Sequence, residues 1–293
     1  MSEFREHAVQ CLSPAGLHQM AYTEWGDAAN PKVLLCVHGL SRVGRDFDDL
    51  ARALCGEYRV VCPDVVGRGN SGRLADPKHY QVPQYVADTV TLLARLNAPE
   101  LHWVGTSMGG LIGMGLAALP GSPIKRLVLN DVGPLLKADA LKRIGEYLGR
   151  APVFPSFAAA EAYVRAVSAS FGLITDAQWK FLTEVSIRPA PGAAGSYVMH
   201  YDPAIAVPFR DQSAGTADID LWPYYDAIRC PTLVTRGELS DLLSRETLKA
   251  MSERGPRAAT VEISGVGHAP MFMDQSQIDI VKHFLLHHQE EMK

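Results

Sequence analysis

Ser107 lies in the run WVGTSMGG, residues 103–110, flanked by Gly105 and Gly109. A short apolar stretch, LHWV, precedes it, and an apolar helical pattern, LIGMGLAAL, follows. Gly105-Thr106-Ser107-Met108-Gly109 has the G-x-S-x-G spacing of a serine held on a sharp strand-to-helix turn. Glycine at both flanks removes Cβ atoms that would collide with the neighbouring strand and helix. The helix N-terminus aims its free N–H groups and its dipole at the same spot. That combination suits nucleophilic attack by a hydroxyl.

A serine hydroxyl is a weak nucleophile at neutral pH and needs an adjacent base. Of ten histidines, His268 is the best placed. It follows the run ATVEI (259–263) in the small-residue loop SGVGHAP, where the imidazole is free to reach over the C-terminal edge of a sheet. The base needs a carboxylate to fix its tautomer and stabilise its charged form. We expect Asp241, in RGELSDLLS after TLVT (232–235), with Asp131, in LVLNDVG after RLVLN (126–130), as the alternative. The order Ser107, Asp241, His268 is that of one hydrolase class. A tetrahedral oxyanion needs donors. The backbone N–H of Met108, next to the serine, is one candidate. The second is the N–H of Leu40, in the loop HGLSRVG (38–44) that follows VLLCV. His38 is expected to brace that loop rather than move protons.

The elements that must hold these groups are legible as alternating patterns. The runs 33–37, 59–62, 101–104, 126–130, 232–235 and 259–263 are short, apolar and mostly non-alternating, as strands buried on both faces of a parallel sheet are. Helical patterns at 46–56, 83–97, 108–119 and 244–254 lie between them. Residues 5–11 and 17–25 alternate around SPAG and predict an antiparallel hairpin at the sheet edge. The rhythm breaks between 134 and 215. Phe157, Ala160, Val164, Val167 and Phe171 form one helical stripe, Thr175 and Gln178 have capping-box spacing, and 188–216 reads as loop. We read 134–215 as a helical insertion over a core made of 1–133 and 216–293. GRGNSG (67–72) mimics a dinucleotide fingerprint, but RLADPKHYQVP behind it cannot open the required helix, so it reads as a supporting turn.

Composition narrows the function class. Hydrophobic residues make up 47% and charged residues 20% of the 293, with a net charge of −4. A nucleic-acid partner is not expected, because no Lys/Arg block occurs. No stretch approaches the ~18–20 apolar residues of a membrane span. The first residues, MSEFREHAVQCL, lack the apolar core of a signal peptide. Five cysteines with no short spacing fit reduced thiols in a cytoplasm. No metal and no organic cofactor is implied, and the oligomeric state is open.

HGL at 38–40, DVVGRGNSG at 64–72, GTSMGG at 105–110, RGELSD at 236–241 and GVGHAP at 265–270 together resemble the α/β-hydrolase family, over nearly the whole chain. The resemblance implies an α/β fold with an eight-stranded, mostly parallel sheet flanked by helices, strand 2 antiparallel, and a helical cap inserted after strand 6. It implies Ser107 as nucleophile, His268 as base, Asp241 as acid, and Leu40 and Met108 as the oxyanion hole. The expected reaction is hydrolysis of a small carboxylic ester or lactone, hydroxyacid oligomers included, through an acyl-enzyme. Carbon–carbon hydrolysis of ring-fission products and a non-enzymatic ligand receptor on the same scaffold are the alternatives. An Arg42 or Arg45 facing the pocket would favour the former. Arg42, Trp179, His200 and Tyr201 are the candidate substrate contacts.

Overall fold

A computed structural model of the chain describes residues 3–208 and 217–287. The boundary expected at 215–216 and His288 therefore lie outside the described residues. Eight strands form the main sheet: β1 (Phe4–Ser13), β2 (Gly16–Trp25), β3 (Lys32–Val37), β4 (Arg59–Pro63), β5 (Glu100–Thr106), β6 (Ile124–Asn130), β7 (Thr232–Gly237) and β8 (Ala259–Ile263). Their order across the sheet is β1-β2-β4-β3-β5-β6-β7-β8. The pairs β1/β2 and β2/β4 are antiparallel and the others parallel. The expected hairpin is β1 and β2, in register from Phe4 opposite Trp25 to Ser13 opposite Gly16.

The central strands are buried along almost their whole length because helices cover both faces. Each face has its own apolar core. One gathers Leu35, Trp103, Leu127 and Leu129; the other gathers Leu34, Cys36, Val104 and Val128. Successive strand residues thus feed opposite layers, so the strands read as continuous apolar runs. The crossover helices are α1 (Asp48–Leu54), α2 (Val82–Leu96), α3 (Met108–Ala117) and, after β7, Arg245–Glu253.

Between β6 and β7 the chain leaves the sheet for a segment that includes the helices α4 (Ala138–Tyr147), α5 (Phe157–Val167) and α6 (Asp176–Ser186), with Trp222–Ala227 leading back toward β7. The Thr175–Gln178 capping box opens α6 as the spacing predicts. Residues 188–216 are not all loop. Ile187–Pro189 and Tyr197–Met199 pair antiparallel, and Val153–Phe154 completes a small second sheet. These strands have two or three residues each, too few for an alternating pattern to register. Leu135–Leu136 pairs with Ile219–Asp220 where the segment leaves and rejoins the sheet. No helix among the described residues is long and apolar enough to cross a membrane.

Candidate active site

β5 ends at Thr106 and α3 begins at Met108, so Ser107 must make the turn alone. It does so at φ 52°, in the left-handed region, with its own N–H donating to the Asn130 carbonyl at 2.9 Å. A non-glycine residue there is held by its surroundings rather than by preference. The glycines permit the close packing that does the holding. A Cβ on Gly105 would lie 2.3 Å from the Gly109 carbonyl oxygen, and one on Gly109 would lie 2.0 Å from that of Val37.

His268 stands in the loop after β8. Its Nε2 lies 2.9 Å from Ser107 Oγ and its Nδ1 lies 2.7 Å from Asp131 Oδ2. A carboxylate only accepts, so Nδ1 carries the proton and Nε2 accepts from the serine hydroxyl. In this tautomer the imidazole can take a proton from Ser107 as its oxygen attacks.

The carboxylate on the imidazole belongs to Asp131, not to the expected Asp241. Asp131 directly follows β6, turned inward at φ 53° with no exposed surface. Its Oδ1 accepts from the Gly237 N–H at 2.9 Å, and its Oδ2 accepts from Ser240 Oγ–H at 2.7 Å as well as from His268. The loop after β7 therefore contributes a backbone N–H and a hydroxyl where a carboxylate was expected. Asp241, one residue beyond Ser240, points outward and pairs with Arg143 of α4 at 2.8 Å.

The Met108 N–H sits in the first turn of α3, where backbone donors have no intrahelical partner. Leu40, Ser107, Met108 and His268 line one cavity of about 650 Å³. His38 braces the Leu40 loop from within. Its Nδ1–H donates to the Gly39 carbonyl at 2.7 Å, and its Nε2 accepts from the Val65 N–H at 2.9 Å. Burial holds its pKa down to about 3, so it stays neutral and keeps both bonds.

Two residues at this floor escaped the sequence reading. Arg68, inside GRGNSG, is wholly buried. Its Nε–H donates to the Leu40 carbonyl at 2.8 Å, and its guanidinium lies over the rings of Tyr80 and Tyr85. Asn130 ties Thr106, Thr235 and the Pro270 carbonyl together, joining β5, β7 and the histidine loop. The position of each at a strand end or in a glycine-rich turn was the available signal.

The candidate substrate contacts divide. Arg42 and Tyr201 line the cavity. Arg42 is already engaged: Nε and Nη2 each donate to Asp46 at 2.7 Å, and Nη1 donates to Ser186 Oγ at 2.8 Å. Trp179 instead packs among Val164, Leu182 and Met271. His200 faces a separate polar depression with Arg73, Arg188 and Asp202. An aromatic spacing on a helix does not separate a cavity wall from internal packing. Elsewhere, Cys11, His18 and Asp88 converge between the hairpin and α2, but burial pushes the Cys11 thiol up to about 12 and keeps it protonated.

The sequence profile of the alpha/beta hydrolase fold matches residues 32–274. The chain belongs to the α/β-hydrolase family. Within that family it is 55% identical to a 3-hydroxybutyrate-oligomer hydrolase of Cupriavidus necator, over 94% of this chain and 96% of that one. It is 24% identical to lipase 1 of Psychrobacter immobilis over 90% of this chain and 79% of the lipase. An α/β-hydrolase structure from Novosphingobium aromaticivorans superposes with a TM-score of 0.85 at 36% identity, covering 97% of this chain and 99% of that one. The protein is an enzyme that hydrolyses carboxylic esters.

Proposed function

We propose that this hydrolase cleaves short oligomers of 3-hydroxy acids, 3-hydroxybutyrate oligomers first among them, through an acyl-enzyme on Ser107. The observation that carries the reading is the unbroken chain from Ser107 Oγ through His268 to the buried Asp131, with Ser107 and His268 lining one cavity. Ser107 Oγ attacks the ester carbonyl carbon while its proton passes to His268 Nε2. The N–H groups of Leu40 and Met108 receive the charge that develops on the carbonyl oxygen, a contribution of about 2.7–4 kcal/mol per donor. Collapse breaks the ester C–O bond, and His268 returns the proton to the departing alkoxide. Water then attacks the acyl carbon, giving a proton to His268. The second collapse frees the acid and restores Ser107. Asp131 holds the imidazole in place throughout and offsets its positive charge.

In this reading residues 1–133 and 216–293 are the catalytic core and 134–215 a cap that roofs the cavity. The substrate class draws on the 55% identical relative and on the lining. Leu136, Leu141, Ile144, Val164 and Met271 offer apolar surface to an aliphatic, methyl-branched chain. Neither arginine is a free anchor for a dianionic ring-fission product. Arg42 is neutralised by Asp46, and Arg45 donates to Asp48 at 2.7 Å. Five free cysteines support a reducing compartment, the cytoplasm.

The test is release of monomer from 3-hydroxybutyrate dimer and trimer by the wild type and Ser107→Ala, with intact-mass detection of the acyl adduct. We expect an adduct on the wild type and loss of nearly all turnover in the variant. Near-normal release by Ser107→Ala would overturn the reading.

A further inference from the structure

The loop that presents His268 is held from two sides. From the core, Glu238 Oε2 accepts from the Gly265 N–H at 2.9 Å, the Leu239 N–H donates to the Val266 carbonyl at 2.8 Å, and Asn130 Nδ2 donates to the Pro270 carbonyl at 2.7 Å. None of these touches Gly267 or His268. The imidazole is tied to Asp131 and Ser107, but among the described residues the backbone hydrogen bonds of Gly267 and His268 run to the inserted segment, to Ser170 in the short turn Ala169–Phe171 after α5. The Gly267 N–H donates to the Ser170 carbonyl at 2.6 Å, and Ser170 Oγ–H donates to the His268 carbonyl at 2.7 Å. Ser170 thus brackets the histidine's backbone. The approach is close enough that a Cβ on Gly267 would lie 2.9 Å from the Ser170 Cβ.

We infer that Ser170 is a positioning residue for His268, so that the imidazole reaches Ser107 in its working geometry only while the inserted segment is seated on the core. The inference rests on the reading of Ser107, His268 and Asp131 as the reacting group. Its consequence is that the roof of the cavity does more than shape the substrate. Neighbours of Ser170 on both sides, Ser168 and Phe171, line the cavity. A substrate that settles the roof therefore also settles the base, and lifting the roof to admit substrate relaxes it. Proton transfer is sensitive to such displacement, because the donor and acceptor must be within hydrogen-bond reach.

Two substitutions break the contact differently. Ser170→Ala removes the hydroxyl from an exposed position. Gly267→Ala inserts a methyl group that pushes Ser170 away, at a residue whose own φ is not in the left-handed region. The measurements are kcat and KM on a short-chain p-nitrophenyl ester, and the second-order rate of labelling by a fluorophosphonate, with melting temperature measured alongside. Ser170→Ala should lower kcat and labelling roughly three- to tenfold, the worth of one hydrogen bond, with KM nearly unchanged. Gly267→Ala should lower both at least as far. Ser170→Thr, which keeps the hydroxyl, should recover the rate. Because both lesions act through one contact, Ser170→Ala should cost little further in the Gly267→Ala background. Wild-type rates in both single variants, strictly multiplicative losses, or a loss that Ser170→Thr does not recover would overturn the inference. Failure of the wild type itself to be labelled would instead strike at the hydrolase mechanism.

Discussion

At and beneath the floor of the cavity, His38, Arg68, Asn130 and Asp131 have no exposed surface, and each is tied by hydrogen bonds to backbone or side chains of neighbouring strand ends. On the roof, the inserted segment leaves Tyr147, Val153, Val167 and Leu173 exposed, and its ion pairs, such as Arg165 with Glu161 and Asp176, lie at the surface. Buried polar groups are costly unless fully partnered, so the floor tolerates one arrangement. The roof is held chiefly by apolar stripes of α5 and α6, which accept changes of side chain that conserve volume. In the proposed mechanism, reaction chemistry uses the first kind of surface and substrate fit the second.

The sharpest way to break that contrast is to alter the floor without altering its shape. Asp131→Asn keeps the volume of the side chain but leaves its amide unable to serve all three donors that now converge on the carboxylate. It also loses the charge that fixes the His268 tautomer. We expect kcat on a short ester to fall by about 10⁴-fold, with a folded protein by circular dichroism. A fall of less than tenfold would mean that the imidazole takes its orientation from elsewhere.

This residue also marks where the sequence became hard to read. Strands buried on two faces announce themselves as apolar runs, and Ser107 and His268 announce themselves through the small residues around them. The acid does not. Asp131 and Asp241 both follow a buried strand, and distance along the chain says nothing about which carboxylate turns inward. What decides it is three-dimensional: the left-handed backbone of Asp131, and the Ser240 hydroxyl that fills the place an acid after β7 would take. The places of Trp179, packed inside the inserted segment, and His200, in a separate depression, are hard to read from sequence for a related reason. A helical or strand spacing gives the face a residue occupies, but not whether that face meets a cavity or another side chain.

His38 offers a finer measurement, of stability rather than rate. Burial keeps its pKa near 3 in the folded protein, against 6.5 when exposed. Between those values the unfolded chain takes up a proton that the folded one refuses, so this residue makes stability fall as pH drops from about 6.5 toward 3. His102, buried and held to about 4, acts in the same direction. Asp64, raised by burial to about 6, acts in the opposite one. The contribution of His38 is isolated by comparing slopes. His38→Asn should be less stable than the wild type at pH 8, but should lose less of its melting temperature between pH 7 and pH 5. Parallel slopes would show that His38 is not held neutral by the fold.

The smallest effect should come from the carboxylate that the sequence favoured. Asp241 and Arg143 form a pair between the loop after β7 and α4, with side chains 56% and 49% exposed. Exposed pairs of this kind contribute about 0.2–1 kcal/mol, since solvent screens them and two long side chains lose freedom to make them. Asp241→Asn should therefore shift the melting temperature by no more than about 2 °C. Its kcat should stay near that of the wild type, because the Asp241 carboxylate pairs outward with Arg143, away from the Ser107–His268–Asp131 chain. The comparison with Asp131→Asn is decisive because both substitutions delete one negative charge near the same strand ends. If Asp241→Asn lost activity on the scale of Asp131→Asn, the outward carboxylate would have to turn in during the reaction, and the division between a fixed floor and a yielding roof would fail at its edge.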